Sequence, residues 1–366
     1  IQGPLDTKPR QGERIDALVG REMELRALRD AWSEAVLSHT QKSVLLLGDA
    51  GVGKSRLVDE FLLRHCGDAR VLTAMAMPHR RETPNALILD LLRGCTGVSG
   101  TSSPRSRGRM LQKLETLIPA SETHVLETFD SLLVPAPHPL GESEGERRRE
   151  VIHALDWLLR GFGQERPLVV VLEDFHWSDA SSLDAIVSLV ERPPSDHGQA
   201  LLLLMTARSE DEHGLEELLI SSASHISLEE LDEGDRQRLI LECLGGDAPD
   251  DLLHEVERRA GGNPFYISEL GQMARDLGAQ ALRDIPGSIS GVVQSRIDRL
   301  PTQAKVVLQH AAVCGPTFRE GILTQLLARN PARSLAELRN RGILVPGVNI
   351  AATVTAGVSE QFEREW

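Results

Sequence analysis

Aromatic side chains are scarce: seven Phe, four Trp and one Tyr make up 3% of the 366 residues. Leu, Val, Ile and Ala must therefore supply the core, within a hydrophobic share of 41%. Positive charge is also short. Lys and Arg number 40 against 54 Asp and Glu, a net charge of −14. An acidic surface disfavours nonspecific attraction to nucleic acid or to an anionic membrane. The cysteines, Cys66, Cys95, Cys243 and Cys314, lie far apart in the chain, so no zinc-type pairing is present. They read as buried free thiols in a reducing cytoplasm. Long apolar runs are missing too. Val44–Leu47, Leu168–Leu172 and Leu201–Met205 fall far short of the roughly 20 residues of a membrane helix. No signal peptide precedes the first element. The chain opens at Ile1 rather than Met, so the expectation is a piece excised from a larger protein.

The length suits two or three domains at about 100–200 residues each. Residues 1–16 are polar and turn-rich, and read as a linker. Apolar residues recur at helical spacing from Val19 to Leu37. Ser43–Leu47 is a short apolar run ending at Gly48, the pattern of a buried strand. A helix is expected from Lys54 to about His65, and a second strand over Val71–Met75. Stretches 95–108 and 135–145 hold turn residues and read as loops with short helices between them. Glu146–Phe162 is amphipathic: Val151, Ile152, Leu155, Leu158, Leu159 and Phe162 share one face. Leu168–Leu172 and Leu201–Thr206 read as central parallel strands, since buried strands are apolar throughout. A helix near Ser182–Glu191 separates them. Strands alternating with helices predict a doubly wound α/β sheet. Beyond Leu231 the chain turns helical, near 233–243, 249–260, 264–280, 288–299 and 302–313. From Gly347 onward the periodicity stops. No internal repeat is visible.

Gly48-Asp49-Ala50-Gly51-Val52-Gly53-Lys54-Ser55 matches the phosphate-binding loop G-x-x-x-x-G-K-[ST] in full. The glycines let successive backbone N–H groups turn toward a phosphate. The helix starting at Lys54 adds its N-terminal partial charge. Lys54 is placed to reach the β- and γ-phosphates of ATP, and the Ser55 hydroxyl to ligate Mg²⁺. A ligand-free glycine turn is the competing reading; the strand, loop and helix order argues against it.

Hydrolysis needs carboxylates beside that loop. Glu173 and Asp174 follow the apolar run Leu168–Leu172, at the strand end where open α/β sheets bind ligands. One would hold Mg²⁺ and the other would polarise the attacking water. Neighbouring strand residues point opposite ways, so the sequence leaves open which does which. The plainer alternative is a helix-capping cluster of Asp174 with Asp179. His176 is a weaker candidate, and a local hydrogen bond explains it as well. Arg208 ends another core strand and is placed to sense the γ-phosphate. A surface ion pair with Glu210 or Asp211 is the alternative.

Together these segments resemble the STAND class of signal-transduction ATPases, relatives of the AAA+ and ORC-type ATPases. The likeness is to the bacterial group found in multidomain regulators and beside cyclase domains, and it runs from about Ala17 to Gly347. Leu18-Val19-Gly20-Arg21-Glu22 resembles the family's G-R-E motif, and the phosphate loop is the second element. Leu172-Glu173-Asp174-Phe175-His176-Trp177-Ser178-Asp179 is similar to its Walker B segment. Thr206-Ala207-Arg208 resembles its T-x-R sensor. Gly262-Asn263-Pro264-Phe265 resembles its G-x-P motif. The resemblance implies that Gly20, Arg21 and Pro264 lie by the adenine. It implies a core at 17–231, a helical lid at 232–287, a winged-helix domain at 288–347 and a tail at 348–366. Glu173 departs from the Asp common in this position of P-loop enzymes. The function implied is an ATP-binding, slowly hydrolysing switch with ATP or ADP and Mg²⁺ as ligands. It would self-associate or be fused to sensor and effector domains, with no membrane partner. A winged helix of this type packs on the nucleotide domain, so direct nucleic-acid binding by this segment is disfavoured. The rival readings are an ORC-like ATPase acting on nucleic acid and a nucleotide-binding module with negligible hydrolysis.

Overall fold

The computed structural model describes residues 18–98, 104–134, 144–191, 199–209, 224–246, 249–277, 289–315, 318, 320–341 and 343–344. The chain divides into two compact units. One is 21–229; the other joins 1–20 to 230–366.

Unit 21–229 is built on five parallel strands: β1 Gln41–Gly48, β2 Arg70–Met75, β3 Leu168–Glu173, β4 Leu201–Ala207 and β5 Ser224–Leu228. Their order across the sheet is β2-β3-β4-β1-β5. The three inner strands are the apolar runs, and β3 and β4 are buried along their whole length. Successive residues face opposite sides of the sheet, so each side needs its own helical cover. On one side Leu45, Leu47, Leu72, Val170, Leu203 and Met205 join a large core. That core takes residues from α3 Ala86–Thr96, α4 Pro104–Leu114, α5 Thr123–Leu133, α6 Glu144–Gly163 and α7 Ala180–Val190. The other side is packed by α1 Glu22–Ser38 and α2 Lys54–His65. Leu28, Leu57 and Phe61 are fully buried there. Cover on both faces is what a parallel sheet requires.

The apolar runs end where they were expected to, but some loops do not. The stretch 95–108 has the composition of a loop, yet α3 continues to Thr96 and α4 begins at Pro104. Proline is favourable at the first helical position, where no N–H bond is needed. Met110 and Leu114 then anchor α4 in the core. Likewise α6 starts at Glu144, inside the expected loop 135–145, of which 135–143 lies outside the described residues. Strand β5 went unread because it is an edge strand with little burial before Leu228.

The second unit is helical among its described residues: α8 Glu233–Leu244, α9 Asp250–Ala260, α10 Pro264–Leu277, α11 Ile289–Asp298, α12 Thr302–Cys314, α13 Glu320–Leu327 and α14 Ala332–Asn340. Val19, Leu231, Ile240, Val256, Ile267 and Leu270 form one core of this unit. Leu300, Val307, Phe318, Leu323, Leu335 and Leu338 form another. Helices α13 and α14 were not read from sequence. The range expected for a winged helix, 288–347, holds four helices among its described residues. Linker 1–16 and tail 348–366 lie outside the described residues. No helix among those described is long and apolar enough to cross a membrane.

Asp179 fastens two helices at once. Its carboxylate accepts the Ser182 N–H at the start of α7 at 3.0 Å. It also accepts the N–H groups of Asn85 at 2.7 Å and Ala86 at 3.0 Å at the start of α3. The group is 3% exposed, so water cannot replace it. Asp179→Ala should cost about 2–3 kcal/mol, through lost caps and stranded N–H groups. Urea unfolding of the variant checks this; an unchanged midpoint would contradict it.

Candidate functional site

The candidate site lies at the C-terminal edge of the sheet, where β1, β3 and β4 end together. The loop after β1 runs Gly48–Gly53 and leads into α2 at Lys54. Gly48 is required by space: a Cβ there would meet Leu228 O and Val52 Cγ1, both at 2.8 Å. The Lys54 ammonium curls over the loop. It donates to Gly48 O at 2.5 Å and Asp49 O at 3.0 Å. Burial lowers the Lys54 pKa; Asp174 opposes this, and the nearby Arg208 lowers it further. The charges of Arg208 and Asp174, which follow the ends of β4 and β3, thus both act on the same ammonium.

Ser55, the second residue of α2, donates its hydroxyl to Glu173 Oε2 at 3.2 Å. Glu173 is the last residue of β3 and is buried. Asp174 follows in the left-handed conformation, φ 51°. Its N–H donates to Thr206 Oγ1 at 3.0 Å, which secures that turn from β4. Thr206 is itself buried. Glu173 thus approaches the Ser55 hydroxyl, and the charge of Asp174 acts on Lys54. A serine hydroxyl and a carboxylate oxygen form the hard-oxygen pair that suits Mg²⁺. His176 is buried, its ring centroid 5.1 Å from that of Trp177.

Arg21 has a job the sequence reading did not assign. Its guanidinium donates to Val52 O in the phosphate loop at 3.2 Å and to Glu229 O at 2.5 Å. It also pairs with Glu24 at 3.1 Å. Arg21 therefore braces the loop from the start of α1. The only signal for this in the sequence was the motif itself.

Gly20, Gly262 and Pro264 belong to the second unit and are described there. A Cβ on Gly262 would fall 2.5 Å from Glu230 Cβ and 3.0 Å from Leu231 O. That close approach lets Leu231 N–H donate to Gly262 O at 2.9 Å. Asn263 Oδ1 accepts the Tyr266 N–H at 3.2 Å, and Pro264 opens α10. The segment Gly262-Asn263-Pro264 thus carries a complete structural role as a tight junction and helix start.

With this geometry in hand, similarity becomes informative. The protein-family model described as "AAA ATPase domain" matches residues 17–204, just over half of the chain. The chain belongs to the AAA ATPase domain family. The matched segment contains the phosphate loop, Ser55, Glu173 and Asp174. The chain is also 28% identical over 331 residues to an uncharacterized protein of Rhizobium meliloti (strain 1021). That alignment takes 85% of this chain but 31% of the relative, so the chain spans about a third of its length. Among solved structures, Cdc6p of Pyrobaculum aerophilum is similar at 15% identity, TM-score 0.46, over 92% of this chain and 89% of that one. The Orc1 protein of Aeropyrum pernix, solved in complex with DNA, is similar at 17% identity, TM-score 0.43, over 92% and 82%.

Because Arg21 is 5% exposed and holds two carbonyls, Arg21→Ala should destabilise the ATPase domain by about 1–3 kcal/mol. Hydrogen exchange at the phosphate-loop amides should accelerate. Thermal unfolding and exchange measurements check both effects; parent-like values in each would remove the bracing role.

Proposed function

We propose that this chain is an ATP-dependent molecular switch of the STAND type, the nucleotide module of a larger regulator. The observation that supports it best is the hydrogen bond from Ser55 to Glu173, with the charges of Asp174 and Arg208 both acting on Lys54. In this reading the P-loop Gly48–Ser55 takes the phosphates of ATP. Lys54 holds the β- and γ-phosphates by charge-assisted hydrogen bonds. Ser55 and Glu173 hold Mg²⁺, which when bound neutralises charge on the phosphates. Asp174, the other carboxylate, accepts the proton of the attacking water. Oxygen attacks the γ-phosphorus, the bond to the ADP oxygen breaks, and phosphate leaves. Arg208 carries a positive charge toward the γ-phosphate and distinguishes ATP from ADP. Gly20, Arg21 and Pro264 keep the adenine-side roles implied by the motif resemblance, and Arg21 and Pro264 also carry the structural duties described above.

A switch needs different affinities for two states, not fast turnover. Hydrolysis is then a slow reset. Signal-transduction output is the reading favoured by the segments Leu172–Asp179 and Gly262–Phe265. The net charge of −14 argues against the nucleic-acid alternative for this segment.

Lys54→Ala should weaken ATP binding about 10- to 100-fold by removing a charge-assisted contact. Asp174→Asn should bind ATP as the parent does but lose about 100-fold or more in turnover. Calorimetry and a phosphate-release assay separate the two effects; parent-like turnover in Asp174→Asn would remove its role as base.

Hydrogen exchange in ADP and in a nonhydrolysable ATP analogue tests the switch. Exchange over residues 232–344 should differ between the two nucleotides, and Arg208→Ala should shrink the difference. Identical exchange would leave an ATPase that does not switch. Steeply salt-dependent binding to duplex DNA would favour the nucleic-acid reading instead.

A further inference from the structure

Helices α5 and α6 bring two imidazoles and a carboxylate together in a part of the ATPase domain that hydrolysis does not use. Glu122 is the residue before α5, His124 lies in its first turn, and His153 lies within α6. His124 Nε2 is 3.2 Å from His153 Nδ1 and 3.5 Å from Glu122 Oε2. One donor atom from each of the three lies within 4.8 Å of the other two. The imidazole rings stack with centroids 5.1 Å apart.

These separations have a chemical meaning. Zinc binds imidazole nitrogen at about 2.0–2.1 Å in a tetrahedron, which sets neighbouring donor atoms about 3.3 Å apart. The His124–His153 and His124–Glu122 distances bracket that value. Two imidazoles with one carboxylate suit zinc and its transition-metal neighbours; Mg²⁺ and Ca²⁺ prefer oxygen alone. The side chains of His124 and Glu122 are 54% and 22% exposed, so an ion can enter from solvent and keep a water in its fourth position. We propose that Glu122, His124 and His153 form a binding site for a divalent transition-metal ion of the zinc class, which cross-links the start of α5 to α6.

Trp157 makes this proposal specific. Its indole nitrogen lies 3.2 Å from His153 Nε2. Indole N–H only donates, so Nε2 accepts and the His153 ring proton sits on Nδ1, facing His124. A metal bound at Nδ1 moves that proton to Nε2, where it meets the indole N–H. Two donors then face each other, and Trp157 must turn away. Metal binding therefore changes the Trp157 fluorescence. Trp157→Phe keeps an aromatic ring in place but removes the opposing donor, so it binds the ion more tightly.

The test is a titration of the metal-free, nucleotide-free 366-residue chain with Co²⁺, read by visible absorption and tryptophan fluorescence. Thiols at Cys66 and Cys243 compete poorly, since burial pushes them up to about 12 and about 11. The proposal expects one Co²⁺ per chain with the intense bands of tetrahedral coordination, displaced by Zn²⁺. His124→Ala and His153→Ala should each weaken binding at least 10-fold, Glu122→Gln several-fold, and Trp157→Phe should strengthen it several-fold. Absent bands, or parent-like binding by both His124→Ala and Glu122→Gln, would overturn it. These two substitutions lie at the exposed start of α5, so they keep the test valid even where His153→Ala fails to fold.

Discussion

Parallel pairing of β3, β4 and β1 brings three strand ends to one edge, and the phosphate loop, Glu173, Asp174 and Arg208 follow directly from those ends. Leu172 is level with Met205, and Met205 with Leu45. One residue further along come Glu173 and Thr206, and three residues past Leu45 comes Gly48, where the phosphate loop begins. Register alone thus delivers a carboxylate, a hydroxyl and a loop of N–H groups to a common place. A slip of one residue in β3 would invert the faces of Glu173 and Asp174. The buried apolar runs specify register strongly, because both faces of each strand are packed. Chemistry at the edge depends on hydrophobic packing behind it.

That dependence explains what could be read from the amino acids. The phosphate loop, the strands flanking it and the helix from Lys54 were legible because each has a local signature: an apolar run, glycines, or helical spacing. Which of Glu173 and Asp174 approaches Ser55 was not legible. It depends on the left-handed turn at Asp174, held by Thr206 from another strand. Arg21 is similar. Its bond to Val52 O spans 31 positions of sequence, and no local pattern encodes it. Strand β5 and the start of α4 were missed for a different reason. An edge strand with exposed residues lacks an apolar run, and a Ser- and Gly-rich stretch hides a helix whose start is set by Pro104.

Motif residues here serve structure as well as chemistry. Gly262 allows a close backbone approach, Asn263 caps α10, and Asp179 caps two helices. Asp179 lies five residues after Asp174, so the segment Leu172–Asp179 combines the proposed base with a carboxylate that caps helices. The histidine pair on α5 and α6 adds a second chemistry to the same unit, in helices that pack on the sheet without contributing to its ligand edge. None of the phosphate-loop signatures pointed to it, since its members are 29 residues apart.

In the proposed switch, Ser55, Glu173 and Asp174 act together to hydrolyse ATP slowly, and ADP stays bound. The most direct measurement is a single-turnover experiment with γ-labelled ATP and the protein in excess, with and without Mg²⁺. Bound ATP should convert fully to ADP and labelled phosphate only when Mg²⁺ is present, with phosphate released while ADP stays bound. Bound ATP recovered intact after prolonged incubation with Mg²⁺ would contradict it.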